Sequence, residues 1–296
     1  MKSMHRFTLL LLLSSASMFA QTGKVLDARN SLATNDLKNA KILIDEAAQD
    51  PAFQNDIHFW YWKGYIYKEL YKTQDKGKNP QSLLRHESME AFNHLLTMKS
   101  RVGADTLEST MKLINYFAST FYNDAVVSLD TVNYEIAIEN YDKFRKAAKT
   151  VNPDMELADK DIKFKMKLAT IYVSLYEKRV NTPEGDRFFN KAKDEYSEII
   201  RMDANNLTAN YNLGIHFYNK AVNIIKNLDV GTSLEDLAKQ EDICVDLFLQ
   251  ALPYVKTAYE LDPTRKETLI GLTGIYWSLN DLEKYQYYQE KLKELE

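Results

Sequence analysis

Asn210-Tyr211-Asn212-Leu213-Gly214-Ile215-His216-Phe217, followed by Ala251-x-x-x-Val255-x-x-Ala258 and then Asp262-Pro263, is the stretch that decides the fold. Ala251, Val255 and Ala258 stand at steps of four and three, so they line one face of a helix, and Leu213, Gly214 and Phe217 do the same for another. The small residues fall where two helices must approach closely, and the aromatic fills the gap beside them. Pro263 cannot continue the helix it follows.

The pattern recurs on both sides. Upstream, Ala192-x-x-x-Tyr196-x-x-Ile199 leads through Asp203-Ala204-Asn205 into Leu213-Gly214, 22 residues separating Ala192 from Gly214. Downstream, Ala251 to Thr273 is again 22, ending in Leu272-Thr273-x-x-Tyr276, and Leu282 to Leu295 supplies a closing helix. Earlier still come Ala40-x-x-x-Ile44-x-x-Ala47 with Asp50-Pro51, Trp60-x-x-Lys63-Gly64-x-x-Tyr67, Ser88-x-x-x-Phe92-x-x-Leu95, Phe117-Ala118-x-x-Phe121, Ala137-x-x-x-Tyr141-x-x-Phe144 and Leu168-Ala169-x-x-Tyr172. This spacing resembles the tetratricopeptide repeat (TPR) family, clearly over about 186–296 and in degenerate form over 36–180.

The resemblance implies an all-α fold: a right-handed superhelical solenoid of antiparallel helix pairs, about five to six repeats. Such a fold has no single core, so residues-per-domain arithmetic does not apply to it. Departures from the consensus say where the helices change. Ser88 to Ala118 is 30 residues and Ala137 to Ala169 is 32, which predicts elongated helices. Gly64 to Ser88 is 24 and Gly214 to Ala251 is 37, against about 12 in the consensus. Within the longer insertion Thr232-x-x-Glu235 has the spacing of a capping box, and Pro253 falls inside the helix that follows. A kinked hairpin projecting over about 220–250 is expected, in a single solenoid spanning 22–296.

Composition agrees, with 9 Gly and 6 Pro in 296 residues and 12% aromatics, few breakers and much bulk to bury. At the N-terminus Lys2 and Arg6 precede the apolar run Phe7–Leu13, and small residues lead to Ala20-Gln21; residues 1–20 read as a cleavable signal peptide. The apolar run is far shorter than the roughly 20 residues that span a bilayer, and no later segment is long enough. The only cysteine, Cys244, lies far from any cut, so neither a transmembrane segment nor a lipid anchor is expected. Export to a Gram-negative periplasm is what the leader and the resemblance to exported bacterial TPR proteins imply. Removing Lys2 and Arg6 takes the formal charge from −4 to −6, a poor match for nucleic acid.

Phe121-Tyr122-Asn123-x-Ala125-Val126 recurs as Phe217-Tyr218-Asn219-x-Ala221-Val222. Successive residues of a helix are turned by about 100°, so Phe and the following Tyr cannot fill the same seam. If the phenylalanines pack between helices, Tyr122, Asn123, Tyr218 and Asn219 face elsewhere, with Tyr61, Tyr65, Tyr211 and Trp277. In TPR proteins the inner, concave face of the first helices is the usual peptide site, so the resemblance makes these eight residues the candidate partner-binding groove. An asparagine amide both donates and accepts, which suits an extended backbone, and tyrosine gives broad contact at low entropic cost. The competing reading is that these aromatics pack on one another.

Lys68 and Lys112 lie near that face without forming a carboxylate-gripping set. His86, Glu90 and His94 share a helical stripe, but a zinc-protease motif would need histidine at 90, and the stripe reads as a solvated outer face. No phosphate loop, nucleophile elbow or Cys-x-x-Cys is present. No catalytic, cofactor or metal residues are therefore expected, and no enzyme activity. Two functions stand: a scaffold that binds a protein or peptide, and, as the alternative, a glycan-binding module of the cell envelope.

Overall fold

The computed structural model describes residues 23–295, and the leader expected over 1–20 lies outside them. Among the described residues all regular structure is helical: twelve α-helices and two short 3-10 turns. They are packed in pairs. Contacts sort the chain into two compact units, one running to Ser128 and adding Glu135–Met155, the other holding Leu129–Tyr134 and Glu156 onward.

The first unit contains α1 (23–33), α2 (Leu37–Ala47), α3 (Ile57–Gln74), α4 (Leu83–Thr97), α5 (Ala104–Val127) and nearly all of α6 (Tyr134–Val151). Short polar side chains start the helices. Asp36 accepts the Asn39 amide at the head of α2, Asp56 accepts His58 and Phe59 at the head of α3, and Ser82 accepts Arg85 at the head of α4. Between α1 and α2 the chain reverses through Asn35 at φ 61°, a left-handed conformation that asparagine tolerates.

Pairing of α3 with α4 shows why the motif needs its small residues. A Cβ on Gly64 would stand 2.6 Å from the Phe92 ring, so only glycine admits that ring, and Ser88 Oγ donates to the Gly64 carbonyl at 2.6 Å across the same seam. Phe92 is wholly buried there. Lys63, where the motif has leucine, is half-buried: its ammonium reaches Glu87 on α4 at 3.1 Å and lies over the Trp60 ring. α2 is latched to α3 by Tyr67, whose hydroxyl donates to Asp45 at 2.7 Å. Burial and the Asp45 carboxylate push the Tyr67 hydroxyl up to about 12.

Arg85, at the start of α4, is 1% exposed. Its guanidinium donates to Asp124 on α5 at 2.7 Å, to Asn140 on α6 at 2.9 Å and to the Pro80 carbonyl at 2.6 Å, and it lies 4.0 Å over the Phe121 ring. One side chain thus joins three helices. Burial of this cation is tolerated because both Nη atoms meet acceptors and the ring of Phe121 lies against the guanidinium plane, leaving only Nε without a hydrogen-bond partner.

The second unit contains α7 (Ala158–Glu177), α8 (Pro183–Met202), α9 (Leu207–Lys226), α10 (Leu234–Leu261), α11 (Lys266–Ser278) and α12 (Leu282–Lys293). α7 pairs with α8, α9 with α10 and α11 with α12, while α8 touches α9 and α10 touches α11. A Cβ on Gly214 would collide with Val255 and come within 3.0 Å of the Ala251 carbonyl, so the quoted stretch closes the α9–α10 seam as its spacing requires. Tyr276 stacks on Tyr288 at 5.4 Å and holds α12 on α11.

Helix lengths account for the long spacings. A 34-residue repeat leaves roughly 15 residues per helix, whereas α5 has 24, α7, α8 and α9 have 20 each and α10 has 28. α10 starts one residue later than the capping-box spacing places it: Ser233, not Thr232, is the N-cap, accepting the Asp236 amide at 3.1 Å and donating to the Asp236 carboxylate at 2.8 Å. Thr232 is used in the turn instead, its hydroxyl donating to the Asp229 carbonyl. Pro253 lies within α10.

Candidate functional site

In the first unit a cavity of about 510 Å3 opens between α1, the α1–α2 turn and α3. Tyr61, Trp62 and Tyr65 from α3 form its aromatic side, Leu32, Ala33 and Leu37 its aliphatic side, and Arg29, Asn35 and Glu69 supply the polar groups. Tyr61 is fixed by a 2.8 Å hydrogen bond with Ser109 Oγ on α5 and meets Trp62 edge-on at 5.3 Å. Tyr65 carries the Lys68 ammonium 4.0 Å over its ring.

Arg29 lies 5.2 Å over Trp62, and the two residues also border a second cleft of about 220 Å3 with Val25, Leu26, Phe53, Asp56 and His58. At the other end Glu69 pairs with Lys68 and, at 3.6 Å, with Lys72. Burial pushes the Glu69 carboxyl up, but the two lysines outweigh it and leave the group below its ordinary value. The groove therefore offers flat apolar rings between a cation and a held carboxylate.

The eight residues singled out from the sequence are divided equally between the two units. Tyr61 and Tyr65 line this groove together, their ring centroids 6.3 Å apart. Tyr122, in the same unit, leans on Phe144 at 5.0 Å and on Tyr141 at 6.3 Å, while Asn123 is exposed. In the second unit Tyr211 is covered by the Arg265 guanidinium at 4.1 Å. Tyr218 packs against Phe248 at 5.5 Å and sets its hydroxyl where a Cβ on Gly274 would be. Asn219 is exposed at a cavity of about 200 Å3 shared with Val173, Tyr176, Glu177, Val180, His216 and Asn223. Trp277 is 61% exposed and touches Tyr285.

Seven of the nine lining residues were not singled out from the sequence, Arg29, Leu32 and Trp62 among them. Arg29 and Leu32 belong to α1, which carries no recognisable repeat motif. Trp62 adjoins Tyr61 in a run of aromatics, and that crowding of rings was the available signal.

Other chemistry-bearing residues have structural partners. His94 lies tilted against Trp60 at 4.0 Å with its Nε2 3.0 Å from the Gln54 carbonyl, while His86 pairs with Glu90 at 3.4 Å. Among the described residues no group of three or more His, Cys, Asp or Glu is placed to hold a metal ion. Lys112 is paired with Glu108. Cys244 is buried, its Sγ directed at the Ala221 carbonyl, and burial pushes its thiol up. Nor is any helix among the described residues long and apolar enough to cross a membrane.

Helix pairs closed at Gly64–Phe92 and at Gly214–Val255 define an all-α protein of paired helices, which fits the TPR resemblance of the sequence. No family model and no curated protein matches the chain. Solved structures similar to it include Pseudomonas aeruginosa PilF, 11% identical with a TM-score of 0.32, covering 93% of this chain and 91% of that one. PilW, described as a widely conserved type IV pilus biogenesis factor, is 13% identical with a TM-score of 0.29, over 93% and 92%. A MamA mutant is 12% identical with a TM-score of 0.28, over 94% and 98%. At such values the likenesses carry neither a function nor a partner to this chain.

Proposed function

We propose that the protein is a non-enzymatic scaffold that holds a protein or peptide partner in the groove of Arg29, Tyr61, Trp62 and Tyr65. The observation that carries this is the makeup of the groove. Trp, Tyr and Arg are the residue types that dominate binding energy at protein interfaces, and here they converge on one cavity, held by the Tyr61–Ser109 hydrogen bond and by the Arg29 guanidinium over the Trp62 ring. Rings already fixed lose little entropy on binding. Tyr211, Tyr218, Asn219 and Trp277 form a second candidate face on the other unit, with Tyr122 and Asn123 as further contacts.

The leader-like residues 1–20 support export, and in a Gram-negative cell the periplasm is the compartment that follows, with any association with the outer membrane made through a partner. Capture from that compartment tests the reading. Wild-type protein and a Tyr61→Ala, Trp62→Ala double variant are used as bait and bound proteins are quantified. A partner retained by wild type and lost by a folded double variant supports the groove. Equal recovery of every bound protein by both baits would exclude it, and binding on a glycan array with no protein captured would favour the envelope-glycan alternative.

A further inference from the structure

The α9–α10 hairpin continues well past its packed base. Tyr218 meets Phe248, and Cys244 points at the Ala221 carbonyl, but from 222 to 243 no residue is buried. That extension nonetheless has a defined end. Gly231 N donates to Asp229 Oδ1 at 3.1 Å, Thr232 Oγ1 donates to the Asp229 carbonyl at 2.7 Å, and Ser233 caps α10.

Apolar side chains crowd this end. Val230 is fully exposed, Leu234 is 85% exposed, and Ile225 and Leu237 are 49% and 40% exposed. Folding gains nothing from side chains left in water, and a cluster of them at one tip is the kind of patch that marks an interaction site. The surroundings are acidic: Asp229, Glu235, Asp236, Glu241 and Asp242 are all exposed, and Lys239 is tied to Glu235 at 2.8 Å. Lys226 is the one base at the end of α9.

We infer that this tip is a docking surface distinct from the groove, seating Val230 and Leu234 in an apolar pocket with a basic rim on a partner protein. The charge selects among occupants. An anionic bilayer surface repels five carboxylates, and a second copy of a chain with formal charge −4 opposes like with like. A basic-rimmed pocket gains from both halves of the patch: burial of the apolar pair, and complementarity that steers the approach.

The test places a photo-activatable phenylalanine analogue at position 230 of the full chain in its native cell, with exposed position 146 as control, and maps adducts by mass spectrometry. The expected result is an adduct specific to position 230, whose partner peptide is apolar and flanked by Lys or Arg. Its yield should drop at least fivefold when Asp229, Glu235 and Asp236 are changed to Lys. Adducts only with lipid, only with another copy of this chain, or no stronger than those from position 146 would overturn the proposal. So would co-flotation of purified protein with phosphatidylglycerol vesicles that is abolished by Val230→Asp with Leu234→Asp.

Discussion

Arg85 Nη1 stands 2.7 Å from Asp124 Oδ2, an ion pair between α4 and α5 whose guanidinium is 1% exposed and whose carboxylate is 17% exposed. Because Arg85 also reaches Asn140 on α6, the pair is a three-helix junction in the first unit. Removing one partner of a buried pair is costly mainly because the other is left uncompensated.

Arg85→Ala is therefore expected to destabilise the protein by about 3–5 kcal/mol. Arg85→Met combined with Asp124→Leu should recover most of that loss, since no buried charge remains. Denaturant unfolding of the three proteins checks both parts, and a double variant as unstable as Arg85→Ala would show that packing, and not charge, carries the junction.

Gly214→Ala is expected to lower stability although alanine is the better helix former. Its methyl would meet Val255 and the Ala251 carbonyl, and overpacking of this kind costs on the order of 1–3 kcal/mol, more than the roughly 1 kcal/mol gained in propensity. Gly64→Ala should behave likewise, by displacing the Phe92 ring. A thermal midpoint equal to or above wild type would contradict the close-approach account.

Those glycines also show how far the sequence could be read. Small residue, aromatic and spacing are local signals, so the seams at Gly64–Phe92 and Gly214–Val255 were visible before any coordinates. Arg85 was not, since it neighbours a polar stripe in sequence and its partners lie 39 and 55 residues away. Part of the groove was hidden for a similar reason. The 100° helical step turns Tyr122 out of the seam that Phe121 fills, but cannot say that Phe144 covers it. Nor does it show that a motif-free α1 supplies Arg29 and Leu32 to the rings of α3.

His216 supplies a pH dependence. Burial pushes its imidazole down to about 4; the Phe189 carbonyl, which accepts from Nε2 at 3.0 Å, works against this, and nearby Lys220 adds to it. The folded protein thus keeps His216 neutral while the unfolded chain binds a proton near pH 6.5. The associated stability is fully present above about pH 6.5 and is lost as pH falls toward 4, amounting to about 3 kcal/mol across that window. In His216→Gln this part of the pH profile should flatten. Parallel profiles for wild type and variant between pH 7 and 4.5 would show that His216 is not the group responsible.

Tyr61→Phe separates fixing from contact in the groove. It removes the hydrogen bond with Ser109 at a stability cost of about 0.5–1.5 kcal/mol while keeping the ring. Partner affinity is expected to change by less than about threefold, since a hydroxyl committed to Ser109 is not the recognising group. A larger loss, with the fold intact, would assign the hydroxyl itself to the partner.

The most direct measurement of the central claim is the affinity of the purified captured partner for wild type and for Tyr65→Ala, with Trp62→Ala alongside, each variant first shown to be folded. Truncating an aromatic anchor at an interface costs about 2 kcal/mol or more, so each variant should bind at least tenfold more weakly than wild type. Affinities unchanged in both variants would contradict the assignment of partner binding to the Arg29, Tyr61, Trp62 and Tyr65 groove.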